Sequence, residues 1–154
     1  QNEVSEKRPP ITVLITAHDN LPELERNLPM FLKQQYPADY QVIVVCQSTD
    51  GETIDFLKRT AAENPHLYYT YIPESSRYMS RKKLQITLGV KAAKNEWILM
   101  TEPNCKPEND KWLMTMARNC QEPRVFAASR ASARLSISFA VLNTPMVIVL
   151  TCRM

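Results

Sequence analysis

The sequence predicts an α/β fold in which a mostly parallel sheet is flanked by helices. Short runs rich in β-branched and aromatic residues alternate four times with longer segments whose apolar residues recur at helical spacing. Parallel neighbouring strands need a right-handed crossover through a helix, so this alternation is typical of a parallel sheet covered on its faces. The 154 residues, 44% of them apolar, are enough to bury one core.

The first strand and helix follow a polar start. The run ITVLITA at 11–17 predicts a buried strand. Asn20 then predicts a helix cap, and Pro22 is tolerated in the first turn of the helix that follows. Leucines at spacings of three and four predict one apolar face, Pro29 predicts a kink, and Tyr36-Pro37 ends the helix.

The second strand and helix repeat this arrangement. The run QVIVVC at 41–46 predicts another buried strand, and the turn residues at 48–51 can cap the next helix. That helix is predicted over 53–63, and Asn64-Pro65 stops it.

Two further pairs complete the predicted sheet. The run LYYTYI at 67–72 is a third strand, and Ser80 caps a helix that runs to Lys94. The run EWILMT at 96–101 is a fourth strand, and a helix over 109–120 follows it. Ligands of such sheets bind beyond the carboxyl ends of the strands, so the segments after the strands are where a site is expected.

Composition argues against several classes of protein. A net charge of +3 without a basic stripe argues against nucleic acid as a partner. The four cysteines form no Cys-x-x-Cys pair and stand apart from both histidines, which argues against a zinc site. We expect buried reduced thiols, as in a domain that faces the cytoplasm. No run reaches the roughly 20 apolar residues that span a bilayer.

Composition changes near Pro123, after which the only charged residues are four arginines. We therefore predict a linker at 1–9, one α/β domain at 10–120 and an atypical tail at 121–154. Either this tail is an ordinary helix and strand, or it follows a reading-frame change near residue 120. A gene whose alternative frame encodes no sensible continuation would exclude the second explanation.

Three segments of the sequence each follow or contain a predicted strand: ITVLITAHDN, QQYPADYQVIVVCQSTDGET and ITLGVKAAKNEWILMTEPNCKP. In these motifs the chain resembles family 2 glycosyltransferases of the GT-A type. Trp112-Leu113 matches the aromatic residue that begins the family's next helix, and the order and spacing agree up to Asn119. The resemblance identifies this stretch as the nucleotide-sugar-binding portion of a bacterial enzyme of that family.

The resemblance implies a Rossmann-like fold, truncated after the metal-motif strand and the helix that follows. It implies a hexosyltransferase of polysaccharide biosynthesis that transfers a sugar from a nucleoside diphosphate sugar to a saccharide or lipid-linked acceptor. It also implies a divalent cation, Mn²⁺ or Mg²⁺, and a cytoplasmic location at the inner membrane, reached through segments outside this chain. The acceptor half is missing, so we expect this chain alone to be inactive.

By the same resemblance, Thr16 and His18 contact the nucleoside, although His18 could instead be a turn histidine bonded to backbone. Where the family has paired acidic residues, this chain has Cys46-Gln47, and Gln47 can still exchange hydrogen bonds with a base. Arg77 is the candidate for the diphosphate. The basic run at 81–83 is either a solvated helix face or, because positive charge is unfavourable at a helix N-terminus, a sign of a nearby anion.

The segment Glu102-Pro103-Asn104 stands where the family has Asp-x-Asp. Hard divalent cations prefer oxygen ligands, and ligand charge sets much of the affinity. Glu102 offers a carboxylate and Asn104 only a neutral amide oxygen, so the resemblance implies a weakened metal site at these residues, or none. A surface turn is the alternative. No Asp or Glu follows Glu122 to act as general base, so catalytic residues stay unknown.

Three interpretations of function stay open. The leading one is donor binding by a glycosyltransferase domain, with Thr16, His18, Gln47, Arg77 and Glu102 as donor-binding residues. The second is a degenerate, non-catalytic GT-A binding module, which the altered second and third segments favour. The third is an unrelated doubly wound domain, because a fold does not determine a function.

Overall fold

The computed structural model of the chain describes residues 9–74, 80–95, 97–117 and 146–149. Five parallel strands form one sheet in the order β3-β2-β1-β4-β5, which confirms the predicted α/β class. The elements follow one another as β1 (Ile11–Thr16), α1 (Leu21–Leu32), β2 (Tyr40–Gln47), α2 (Gly51–Glu63), β3 (Leu67–Ile72), α3 (Arg81–Ala92), β4 (Trp97–Thr101), α4 (Trp112–Ala117) and β5 (Met146–Val149).

Strand β1 lies in the middle of the sheet. It pairs in parallel with β2, where Ile11 is opposite Tyr40, and with β4, where Ile11 is opposite Trp97. Because the three strands run the same way, their carboxyl ends meet at one edge of the sheet. The segments after these strands, which the sequence singled out, are therefore neighbours in space.

One face of the sheet is covered by α1, α2 and α4, which contribute large apolar side chains to the bigger of two core clusters. Phe31 of α1 is 2% exposed and packs edge-on against Trp112, with ring centroids 5.4 Å apart. Leu57 of α2 and Leu113 of α4 are fully buried in the same cluster. This face holds most of the apolar core.

The opposite face is covered by α3 and has a smaller cluster. Ile86 packs there against strand residues, and Gly89 allows the helix backbone to approach Leu14 closely. A Cβ built on Gly89 would lie 2.2 Å from Leu14 Cδ1, so only glycine fits without a shift. On this side, close backbone approach at Gly89 accompanies a smaller apolar cluster.

Several helix boundaries differ from the sequence prediction. Helix α1 ends at Leu32, before Tyr36, and Pro29 lies inside it. Asn20 occupies the cap position but makes no capping bond, because its Oδ1 accepts from the backbone N–H of His18 instead. Helix α4 begins at Trp112 instead of residue 109, since Asn109 Oδ1 accepts from the Lys111 N–H in a preceding turn.

The predicted linker and tail lie mostly outside the described residues. Within the tail, Met146–Val149 forms β5, which pairs in parallel with β4. The alternative explanations of the tail therefore stay predictions. Within the ranges that the structure describes, no helix has the length and apolar character needed to cross a membrane.

Candidate functional site

A cleft of about 430 Å³ opens where the carboxyl ends of β1 and β4 meet the first turns of α1 and α3. Its lining is mainly polar or charged, as expected at the strand ends of a parallel sheet. The residues that form it are Thr16, His18, Asn20, Glu23, Arg81, Lys82, Gln85, Glu102, Pro103 and Asn104.

Lys82 connects the two strand ends that border the cleft. Its ammonium group donates a short hydrogen bond to Thr16 Oγ1 at the end of β1. It also donates to Glu102 Oε1, just after β4, at 3.1 Å. The Lys82 and Glu102 side chains are 49% and 44% exposed, so the pair faces the open cleft. A surface ion pair of this kind contributes little to stability, but it holds the positive charge of Lys82 between the ends of β1 and β4.

Gln47, at the end of β2, joins the loop after β1 to helix α3. Oriented with its amide oxygen toward these donors, it accepts from His18 Nδ1 at 3.1 Å and from Arg81 Nε and Nη1 at 3.0 and 3.2 Å. A second concavity of about 310 Å³ lies beside this junction and is lined in part by Ile72 and Pro73. Gln47 and Arg81 line this concavity, and Arg81 also lines the cleft, so Arg81 lies between the two.

The loop between β1 and α1 is a tight turn that presents His18. Asp19 has a φ of 52°, the left-handed conformation that aspartate tolerates better than most residues. The His18 N–H donates to Asn20 Oδ1 at 2.8 Å, and His18 Nε2 lies 3.4 Å from Asp19 Oδ2. The histidine is thus held by side chains of its own turn and by Gln47, and not by backbone alone.

Helix α3 is positioned so that its first turn overhangs the cleft. Ser80 caps it by accepting from the Lys83 N–H at 3.3 Å. One turn later, buried Gln85 donates from Nε2 to the carbonyl oxygens of Ala17 at 2.7 Å and Val45 at 2.9 Å. These two bonds fasten the helix to the ends of β1 and β2, which sets where Arg81 and Lys82 stand.

The turn after β4 is held against α1. Asn27 Nδ2 donates to Pro103 O at 2.7 Å, and the Cys105 N–H donates to Glu102 O at 3.0 Å. Pro103 and Cys105 are buried, whereas Asn104 between them is exposed. The backbone here is thus a surface turn, which the sequence analysis gave as the alternative to a metal site. The side chains of Glu102 and Asn104 nevertheless line the cleft.

The donor set at Glu102 and Asn104 does not fit a divalent cation. One oxygen of Glu102 already accepts from the Lys82 ammonium group, which repels a second cation. Asn104 offers no charge, and its Oδ1 lies 3.7 Å from Cys105 Sγ. Among the described residues there is no group of three or more His, Cys, Asp or Glu side chains that could hold a metal ion.

Glu23, in the first turn of α1, is the second acidic residue of the cleft. Its Oε2 is buried and has no hydrogen-bond partner within the described part of the chain. A buried acceptor without a donor costs roughly 1–3 kcal/mol, so a hydrogen-bond donor that entered the cleft and reached this oxygen would remove that cost.

The structure brings together most of the side chains that the sequence singled out. Thr16, His18, Glu102 and Asn104 line the cleft, and Gln47 stands at its junction with the second concavity. Arg77 lies outside the described residues. Asp50 caps α2, as expected, by accepting from the Thr53 N–H at 3.3 Å.

Sequence reasoning named Arg81 and Lys82 only as part of a basic run at 81–83 that could mark a nearby anion, and it did not name Gln85 or Glu23 as site residues. For the two basic residues a signal was present, since positive charge directly after the helix cap Ser80 is unfavourable without an anion or a carboxylate nearby. Gln85 carried no such signal, because a glutamine inside an amphipathic helix is ordinary until its carbonyl partners are known.

The cysteines differ from one another. Cys46 is a free, buried thiol whose pKa is raised to about 11, first by burial and then by the negative charge of Asp50. Cys105 is disulfide-bonded, which corrects the expectation of reduced thiols throughout. A cytoplasmic location stays a prediction from the sequence.

The sequence matches the family described as "Glycosyltransferase like family 2" over residues 9–142. No protein with a curated description matches it at a significant level.

Solved structures share the fold. A mannosyltransferase, PcManGT from Pyrobaculum calidifontis in complex with GDP-Man and Mn²⁺, is 24% identical, and the alignment covers 77% of this chain and 34% of that one with a TM-score of 0.64. S. aureus TarS 1-349 in complex with UDP-GlcNAc is 16% identical, with coverages of 82% and 37% and a TM-score of 0.60. The chain thus spans about a third of the length of these proteins.

Proposed function

The chain belongs to glycosyltransferase-like family 2, and on that premise we propose that its cleft binds the nucleoside diphosphate part of a sugar donor. One observation carries the proposal: Thr16, Gln47, Arg81 and Lys82 are brought together at the carboxyl ends of three parallel strands. Such edges are where parallel α/β sheets bind their ligands, and two adjacent cations suit a diphosphate.

The two concavities suit different parts of such a donor. The one beside Ile72 and Pro73 is lined mainly by polar residues, with exposed Pro73 as a small apolar surface for the flat face of a base, and Gln47 can exchange hydrogen bonds with base edges. The cleft contains the ammonium group of Lys82, and Arg81 stands between the two. We place the base in the first, the diphosphate beside Arg81 and Lys82, and the sugar toward Glu23.

The proposal is tested by calorimetric titration of UDP and of GDP, once with Mn²⁺ and once with EDTA. Both nucleotides are used because the solved relatives hold GDP-Man and UDP-GlcNAc, respectively. We expect one of the two to bind in at least one condition. Failure of both nucleotides in both conditions would reject the proposed function.

A matched pair of variants tests where binding occurs. We expect Arg81→Ala to weaken nucleotide binding about tenfold to a hundredfold, the usual effect of losing a hydrogen bond to a charged group. Arg59→Ala, on the exposed surface of α2 away from the cleft, should leave affinity unchanged. Equal affinities of both variants would place the nucleotide elsewhere.

We also propose that transfer to a saccharide or lipid-linked acceptor needs residues outside this chain. No Asp or Glu follows Glu122, and removing a general base typically lowers a rate about 10²- to 10⁴-fold. We expect no release of sugar from UDP-GlcNAc or GDP-Man by the chain alone. Measurable turnover would instead show that a base lies within these 154 residues.

A degenerate binding module is the second candidate function, and the pairing of Glu102 with a lysine favours it. Joining the chain to an acceptor-binding half of a family member separates the two. Transfer by the joined protein would support an enzyme, and nucleotide binding without transfer would support the module. A cytoplasmic location at the inner membrane stays a prediction from the resemblance.

A further inference from the structure

The charge balance of the cleft points to a specific role for one lysine. Asn104 carries no charge, and Glu102 is engaged by Lys82. The Lys82 ammonium group bridges Thr16 and Glu102 and so lies between the ends of β1 and β4. A fixed positive charge therefore already occupies the position between β1 and β4.

We propose that the ammonium group of Lys82 takes the place of a divalent cation, so that this chain binds a nucleoside diphosphate without metal. The inference rests on the proposed function, because it specifies how the same cleft neutralises the diphosphate. The side chains of Lys82 and Arg81 supply the positive charge, and Thr16 and Glu102 hold Lys82 in place.

The chemistry of the lysine suits this role. An ammonium group has three N–H donors, and two of them have partners among the described residues. The third is free to donate to a phosphate oxygen. Because about half of the Lys82 side chain is exposed, an incoming anion can reach it without displacing the protein around it.

The surroundings of Lys82 add to its positive potential. It lies in the first turn of the 12-residue helix α3, whose N-terminal N–H groups carry partial positive charge. A cation in this position is unfavourable in isolation, and the first turn of α3 contains no acidic residue to offset it. Glu102 offsets it from another element, and a bound diphosphate would offset it further.

The side chains of the cleft suit a lysine better than a metal ion. A divalent cation needs several oxygen ligands with negative charge, and here Asn104 is a neutral amide and the Lys82 ammonium group lies beside Glu102. Glu23 adds a carboxylate, but no third acidic, histidine or cysteine side chain joins it and Glu102 within the described ranges. A lysine needs only the one carboxylate that is present.

The test compares nucleotide affinity with and without metal in wild-type protein and in variants of Lys82. We expect the nucleotide that binds, UDP or GDP, to have the same affinity in EDTA as in Mn²⁺, within about twofold. Lys82→Ala should weaken binding in EDTA about tenfold to a hundredfold, and Lys82→Arg should retain most of it. Lys83→Ala removes the next, exposed lysine of the same helix turn and should leave affinity unchanged.

Two safeguards keep the result decisive. Lys82→Gln retains most of the side-chain length without the charge, so it should bind as weakly as Lys82→Ala. Equal weakening in the two variants would assign the effect to the lost charge and not to the lost length of the side chain. A second set of variants combines Lys82→Ala with Asn104→Asp, which removes the lysine's positive charge and adds an acidic residue. We expect this double variant to bind the nucleotide more tightly in Mn²⁺ than in EDTA.

The outcomes separate this inference from the proposed function. Binding by wild-type protein only in Mn²⁺ would overturn the role of Lys82 and leave nucleotide binding intact. Wild-type affinity in Lys82→Ala and Lys82→Gln would also overturn it. Absence of binding in every condition would overturn both. The expected result is metal-independent binding that is lost in Lys82→Ala and Lys82→Gln and kept in Lys83→Ala.

Discussion

The two faces of the sheet are held to their helices in different ways. On one face, α1, α2 and α4 bury large apolar side chains such as Phe31, Leu57 and Leu113. On the other face, α3 has fewer fully buried apolar residues, and its position depends on two hydrogen bonds from Gln85 and on the close approach of Gly89.

The difference matches what each face does. Apolar packing has no preferred direction and gives stability in proportion to the area buried. Hydrogen bonds to named carbonyl groups fix a helix along a definite direction. The face that carries Arg81 and Lys82 is thus the one whose helix is fixed by directional bonds, and the other face supplies most of the apolar burial.

The largest expected effect comes from the apolar face. We expect Phe31→Ala to lower the free energy of unfolding by about 3–5 kcal/mol, because it leaves a cavity beside Trp112. Urea denaturation measures this, and calorimetry under native conditions should show unchanged nucleotide affinity of the folded fraction. Phe31→Leu, which keeps most of the apolar volume, serves as the milder control. A loss of affinity in Phe31→Ala would break the division between the two faces.

The second expected effect comes from the polar attachment of α3. Gln85→Ala removes two buried hydrogen bonds and should cost roughly 1–3 kcal/mol of stability. Because the bonds set where the first turn of α3 stands, nucleotide affinity should fall as well.

Gln34→Ala is the matched control for this effect. Gln34 is a buried glutamine between α1 and α4 that bonds to Met30, Asn109 and Leu113. We expect a similar loss of stability with no change in affinity. If both variants lowered affinity equally, hydrogen bonding on the α3 face would have no special part in arranging the site.

The smallest expected effect is a steric one. Gly89→Ala gains about 1 kcal/mol of helix propensity but forces a Cβ against Leu14, and overpacking costs about 1–3 kcal/mol, so a net loss near 1 kcal/mol is expected. In a Leu14→Ala background the same change should become stabilising. Denaturation of the four proteins in this cycle measures the coupling. Additive effects would show that Gly89 is not chosen for its approach to Leu14.

Much of the fold could be predicted because the strands carry their own signal. The run 67–72 was predicted as Leu67–Ile72, the same bounds that the structure has, because turn residues flank it closely. The ends of α1 and α4 were harder to place. They depend on contacts such as the Gln35 N–H donating to Asp110 O, which joins residues far apart in the chain.

The candidate site was predictable in its location and less so in its contents. Strand ends are visible in a sequence, so Thr16, Gln47 and Glu102 could be named as neighbours. The partner of Glu102 could not be named, because Lys82 reaches it from a helix 20 residues earlier in the chain. A run of three basic residues offers three candidates, and only the geometry of the helix start selects among them.

The central position of β1 has a consequence for synthesis of the protein. One edge of β1 is covered once β2 is complete at Gln47, whereas the other waits for β4, which ends at Thr101. At 5–20 residues per second, the ribosome needs roughly 3–11 s to make the intervening residues. During that time the fully buried run Ile11–Thr16 presents an unpaired edge of the kind that promotes aggregation. Chaperones that bind extended apolar segments therefore have their longest opportunity on this nascent chain before residue 101 emerges.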